Sequence, residues 1–249
     1  MKGIGVVVAC ALLLLGAVLV TMPAALVDGR LAAMTAGKLR IADATGTLWR
    51  GQGALTDATN SWQLPLTWNV DAVSMLRGEI AVTLAPVGNA VQPTGNVSLR
   101  LASITLTNLR ATIPAQALAA WLPIRDAPAL GGDITLDANE FRWEGNSGQG
   151  ALNLHWQRAR LASSAGTADL GTIDIAATTQ ERRLVARVSN TGGDVRLVGT
   201  MGLTSTGNDG DLTMAPVAGT PPALTRALAA LGKPDANGAV RLTWRNTVR

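Results

Sequence analysis

At five places along this chain a glycine followed directly by an acidic residue or asparagine opens a segment in which large apolar side chains alternate with small or polar ones. Gly78-Glu79 precedes Ile80, Val82 and Leu84; Gly95-Asn96 precedes Val97, Leu99 and Leu101; Gly132-Asp133 precedes Ile134 and Leu136. Gly193-Asp194 precedes Val195 and Leu197, and Gly210-Asp211 precedes Leu212 and Met214. Glycine supplies the positive φ of a tight turn, and Asp, Asn or Glu keeps that turn hydrated. Strand side chains alternate between faces, so the apolar residues collect on one side and Thr, Ser, Asn and Arg on the other. The pattern predicts a mainly β chain: an antiparallel meander with one dry face, forming a curved sheet or partly closed barrel with a few short helices. A chain of 249 residues is long enough to bury a core as one large β domain or two small ones.

The first strand is expected at Leu39-Arg40-Ile41. Leu64 to Val70 alternates over seven positions, with Pro65 marking an edge or a strand start because it donates no ladder hydrogen bond. Leu64-x-Leu66-x-Trp68, Leu152-x-Leu154-x-Trp156 and Val240-x-Leu242-x-Trp244 share one pattern, and each Trp has the parity of the apolar residues before it. Leu48-Trp49-x-Gly51 and Phe141-x-Trp143-x-Gly145 each precede one of these strands, which suggests two duplicated modules, residues 39–113 and 131–249. Short helices are expected at Pro114–Leu122, started by Pro114 and ended by Pro123, and at Pro221–Leu231, stopped by Gly232.

The N-terminus reads differently. Lys2 is followed by Ile4 to Met22 without a charge, a stretch of about 28 Å as a helix and close to the thickness of a bilayer core. A stretch without a polar face is a poor core helix and longer than the roughly 7–15 residues of a signal-peptide core. Residues 1–22 are therefore read as a cytoplasmic tip and transmembrane signal anchor in contact with membrane lipids at residues 4–22. Cleavage near Pro23-Ala24-Ala25 and lipidation of Cys10 are the alternatives. Residues 23–38 are expected to hold a juxtamembrane helix with Leu26, Leu31 and Met34 on its apolar side and Gly37 as its stop. Residues 39–249 form the β-rich body.

Little in the sequence supplies a reaction. The formal charge of +4 comes from scattered Arg residues without a basic stripe, so no nucleic acid is expected as partner. The single Cys excludes an intramolecular disulfide, and His155, the single His, is expected on the polar face of a strand with no nucleophile beside it. Asp133, Asp194, Asp209, Asp211 and Asp235 are read as turn residues. Gly131-Gly132 and Gly192-Gly193 precede no long helix and form no phosphate cradle. No enzyme activity, cofactor or metal is expected.

The most specific run is Gly46-Thr47-Leu48-Trp49-Arg50-Gly51. Read as a strand of four residues between two glycines, it sends Leu48 and Trp49 to opposite faces. Trp49 then either plugs the base of the sheet or serves as a docking anchor, as exposed Trp and Arg do at interfaces. The order of an N-terminal span, Pro23-Ala24, Ala44 to Gly53, Leu64-Pro65-Leu66-Thr67-Trp68, Gly131-Gly132-Asp133-Ile134 and Leu231-Gly232-Lys233-Pro234-Asp235 with Gly238 resembles the type II secretion system protein N family over nearly the whole chain. The resemblance implies an inner-membrane, single-pass protein with its bulk in the periplasm. It implies a scaffold that contacts other inner- and outer-membrane components of the exporter and is not an enzyme. Gly46, Thr47, Leu48, Trp49, Gly51 and Trp68 are the expected partner-binding or structural signature; the oligomeric state is left open. A second reading takes the dry sheet face as a groove for lipid chains, as in AsmA-like proteins.

Overall fold

In the computed structural model the described residues are 21–119 apart from 89, 91 and 92, and 129–247 apart from 146, 164, 165, 181, 182, 205 and 206. The chain divides into two compact units, Met1–Thr94 and Gly95–Arg249. The expected span at 4–22 falls outside the described residues up to position 20. Among the described residues no helix is long and apolar enough to cross a membrane.

The first unit opens with helix α1 (Ala25–Met34), followed by strands β1 (Leu39–Gly46), β2 (Arg50–Asp57) and β3 (Gln63–Asp71), the single-turn helix α2 (Ala72–Met75) and β4 (Ile80–Pro86). The strands pair in chain order, all antiparallel. Pro65 pairs with Ala54 of β2, whereas pairing of β3 with β4 begins only at Leu66, so the missing N–H meets no second strand. Leu66 and Trp68 fall on the buried face with Ala24, and Val27, Ile41, Leu55, Val70 and Leu84 pack around them. Gly37 ends the helical segment with φ of +78°, as expected. The expected apolar side of α1 is corrected. Leu26 and Met34 point outward, 45% and 81% exposed, and the helix docks instead through Ala24, Val27 and Asp28.

The second unit contains β5 (Thr94–Arg100), which begins at the division, then β6 (Ser103–Pro114), the short helix α3 (Gln116–Ala119), β7 (Ala129–Glu144), β8 (Ser147–Ser163), β9 (Gly166–Gln180), β10 (Arg183–Thr191), β11 (Val195–Thr204), β12 (Gly207–Pro216), helix α4 (Pro222–Leu231) and β13 (Val240–Thr247). Neighbours again follow chain order, and the sheet is open: among the described residues no pairing closes it into a barrel. Residues 103–114 pair with residues 133–144 of β7 and belong to this unit. The expected helix at Pro114–Leu122 starts later: Pro114 is the last residue of β6, opposite Asp133, and α3 begins after the fully buried Ala115. Residues 120–128 lie outside the described residues. α4 matches the expected Pro221–Leu231 helix. Gly232 follows it in extended backbone; a Cβ there would lie 2.9 Å from Val240 Cγ1.

Two of the five glycine pairs, Gly78-Glu79 and Gly193-Asp194, are turns. The other three are corrected: Gly95, Gly132 and Gly210 lie inside strands. Gly132, with φ of +93°, sits at a bulge where a Cβ would be 2.2 Å from the Gln157 carbonyl oxygen. Gly210 lies beneath the Trp244 ring of the neighbouring strand, with no room for a side chain. The strands are consequently longer than the turn reading allows. The acidic residues change role with them. Asp133, Asp209 and Asp211 are not turn residues but cross-strand partners of Arg158, Arg183 and Arg241. Asp194 and Asp235 do sit in turns, and Asp235 accepts the amides of Asn237 and Ala239. His155 is exposed and bonds Asp174 on the next strand at 2.5 Å.

Candidate functional site

The run from Gly46 to Gly51 is not the expected strand. It is the connection of the β1–β2 hairpin, closed by the Gly46–Gly51 pair. The Thr47 amide donates to the Arg50 carbonyl at 2.8 Å, and the Thr47 hydroxyl accepts the Arg50 amide at 3.1 Å. A Thr side chain thus completes a turn that backbone groups alone leave open, which is why the segment bends instead of extending. Gly46 has φ of +91°, and a Cβ on it would meet the Arg50 carbonyl oxygen at 2.6 Å.

The outer side of this turn holds the chain that emerges from the N-terminal segment. Leu48 N–H donates to the Met22 carbonyl at 2.8 Å, Ala24 N–H donates to the Gly46 carbonyl at 3.1 Å, and Pro23 bridges Thr47. Residues 22–24 therefore form a short extra strand on the hairpin, and Ala24 enters the core at 1% exposure. The inner side is held by Trp68. Its indole N–H donates to the Leu48 carbonyl at 3.2 Å, and its ring lies over Gly51, the residue opposite it on β2. The Val70 amide donates to the Trp49 carbonyl at 2.7 Å. The Thr47, Leu48 and Arg50 amides and the Leu48, Trp49 and Arg50 carbonyls are thus all engaged, which holds the turn on both sides.

The structure brings all six expected residues together but separates the two tryptophans by role. Trp68 is the buried plug. Trp49 is half-buried and lines, with exposed Arg50, Asn69, Val70, Asp71 and Ala72, a hollow of about 420 Å³. Arg50 Nε donates to Asn69 Oδ1 at 3.2 Å. Asp71 caps α2 by accepting the Ser74 hydroxyl and the Val73 amide, which together, the hydroxyl foremost, hold its carboxyl below the usual carboxylate range. Beyond the hollow Val73, Met75, Leu76 and Ile80 are exposed, Leu76 at 89%. The sequence reading missed this apolar surface, whose signal is the uncovered Val73-Ser74-Met75-Leu76 run between two polar turns.

A profile described as type II secretion system (T2SS), protein N matches residues 37–243. The chain belongs to that family. The Aeromonas hydrophila type II secretion system protein N is 27% identical over 242 residues, covering 94% of each chain. The protein of that name from Vibrio cholerae serotype O1 is 26% identical over 147 residues, 57% of this chain and 58% of its own. No solved structure matches the chain. In this protein N family member the remaining signature segments are also structural. Trp156 N–H donates to the Gly131 carbonyl at 2.8 Å beside the Gly132 bulge, and the Pro234–Gly238 turn feeds Val240 into the core at 0% exposure. Among the described residues no group of three or more His, Cys, Asp or Glu has a metal-binding arrangement.

One ion pair locks α1 beside the hairpin. Asp28 accepts Arg40 Nε at 2.8 Å and Nη2 at 2.6 Å, and also the Ile41 amide at 2.8 Å. The Arg40 bond lowers the Asp28 pKa below its ordinary 3.8, outweighing the opposing effect of burial. A lowered folded pKa contributes stability that is present above the unfolded value and lost as pH falls through the folded one. Asp28→Ala is expected to destabilise the first unit by about 1–3 kcal/mol, since it also orphans the Ile41 amide. Thermal melts across pH 2–7 check both points: the wild type loses stability below about pH 4, and the variant shows a shallower acid limb.

Proposed function

We propose that this protein is an inner-membrane anchored, periplasm-facing accessory of the type II secretion system that acts by protein–protein contact and not by catalysis. Family membership supports the secretion assignment. The uncharged stretch at 4–22 supports one span with residues 23–38 at the membrane surface and 39–249 in the periplasm. Exposed Leu26 and Met34 on α1, just after that stretch, suit the apolar–polar boundary of a bilayer.

The observation that carries the reading is the strapping of residues 22–24 onto the Gly46–Gly51 turn. It fixes the direction in which a membrane stem leaves the β body, a requirement for a scaffold and irrelevant to a freely diffusing protein. Trp49, Arg50 and the exposed apolar residues of α2 then present a contact surface on the same unit as residues 22–24. Other inner- and outer-membrane components of the exporter are the partners it suits. An alkaline phosphatase fusion after Arg249, read together with N-terminal sequencing of the membrane fraction, tests the placement. An active fusion on a chain that still begins at Met1 is expected; an inactive fusion, or a chain cut near Ala25 and released in soluble form, contradicts it.

A further inference from the structure

The second unit contains a cavity of about 700 Å³ between α4 and the sheet. Leu170 and Ile173 of β9 and Leu197 of β11 form its floor, and Leu224, Leu228 and Leu231 of α4 form its roof. Its closed end is the packed cluster of Val195, Leu228 and Val240. Leu231 lines the cavity and is nevertheless 55% exposed, so the cavity opens to the outside at the C-terminal end of α4.

None of the described lining residues is charged. The indole N–H of Trp156 is taken by the Gly131 carbonyl, and the Thr167 hydroxyl is the one other N–H or O–H side-chain group among the described lining residues. Water needs two to four polar partners and finds too few here. A peptide segment carries a donor and an acceptor at nearly every residue and would leave them unpaired against this wall. Strand addition is closed as well, because β9, β10, β11 and β12 each already have two neighbours. The size lies within the roughly 300–1,000 Å³ of small-molecule sites, and those sites too are mainly apolar.

We propose that this cavity binds a long acyl chain of a membrane lipid, entering beside Leu231. A hydrocarbon chain asks for no hydrogen-bond partner, and the same chain carries a bilayer-length apolar segment that puts lipid within supply. The source is either a bilayer phospholipid or a free fatty acid, and the inference stands apart from the secretion role.

The test uses the full chain in nanodiscs of phosphatidylethanolamine and phosphatidylglycerol. Palmitic acid carrying a diazirine, or phosphatidylglycerol with the same chain, is added and irradiated, and the adducts are mapped by peptide mass spectrometry. Adducts on the segments around Leu170–Ile173 and Leu224–Leu231 are expected, and the probe that labels them identifies the source. Ala223→Trp at the rim and Ala227→Trp within the cavity should each lower that labelling at least tenfold. Labelling of residues 4–22 serves as the internal reference, and circular dichroism verifies the fold. Adducts confined to the N-terminal segment overturn the proposal, as does cavity labelling unchanged in a folded variant. Cross-linking of these segments to another polypeptide in place of lipid overturns it equally. The wild-type map decides the matter even where a variant fails to fold.

Discussion

Trp68→Ala is expected to lower the stability of the first unit by about 3–5 kcal/mol, the range for truncating a buried large aromatic. Trp68 is 6% exposed and packs with Leu66 and Ala24 at the centre of that unit's core. Its removal opens a cavity over Gly51 and leaves the Leu48 carbonyl without its indole donor. Both faces of the hairpin turn then lose support, so the strap through Met22 and Ala24 should loosen along with the core. Circular dichroism melts of the full chain measure the loss, as a fall of more than about 10 °C in the transition of the first unit. A change of only a degree or two would mean that Trp68 is not the plug described here.

Gly51→Ala should destabilise the same unit by about 3 kcal/mol, a large effect for a single methyl group. A Cβ on Gly51 would lie 2.3 Å from Trp68 Cζ2 and 2.8 Å from the Thr45 carbonyl oxygen. The ring must leave its place or the hairpin must open. The two substitutions therefore share one contact and should not add. The double variant is expected to lose at least about 1 kcal/mol less than the sum of the singles, because the truncated side chain no longer meets the new methyl. Part of the Gly51→Ala penalty should survive, since the Thr45 carbonyl remains. Gly29→Ala in α1 is the matched control. Nothing lies within 4 Å of its Cβ position, and a helical Gly→Ala change is neutral or stabilising by up to about 1 kcal/mol.

The strand periodicity was legible because it is local. The burial of Leu66 and Trp68, the edge-like position of Pro65 and the Pro222–Leu231 helix all follow from residues within one segment. What escaped depends on residues distant in sequence. Gly210 and Gly78 look alike along the chain, yet one makes room for Trp244, thirty-four positions on, and the other turns the chain. Asp133 and Asp211 sit next to glycines as turn residues do, but their Arg partners come from neighbouring strands.

The signature hairpin shows the same limit. Thr47 bends the run by bonding Arg50, and the stability of the bend comes from Met22 on one side and Trp68 on the other. Sequence spacing singled out all six residues and placed Trp68 with the apolar face, but left Trp49 open between plug and docking anchor: Trp68 is the plug, and Trp49 faces a surface hollow. The cavity under α4 was even less visible, since its floor and roof come from strands and a helix spread over more than sixty residues.

The proposed role rests on contact made beside the membrane stem. Its most direct test replaces Trp49 with photoreactive benzoylphenylalanine in the full chain, expressed in cells with a working type II secretion system. Irradiated membranes are then analysed for cross-linked partners. The account predicts a cross-link to another component of the secretion system, absent when the same residue is placed at exposed Asn153 on the second unit. Recovery of the chain without any secretion component attached at position 49 would contradict it.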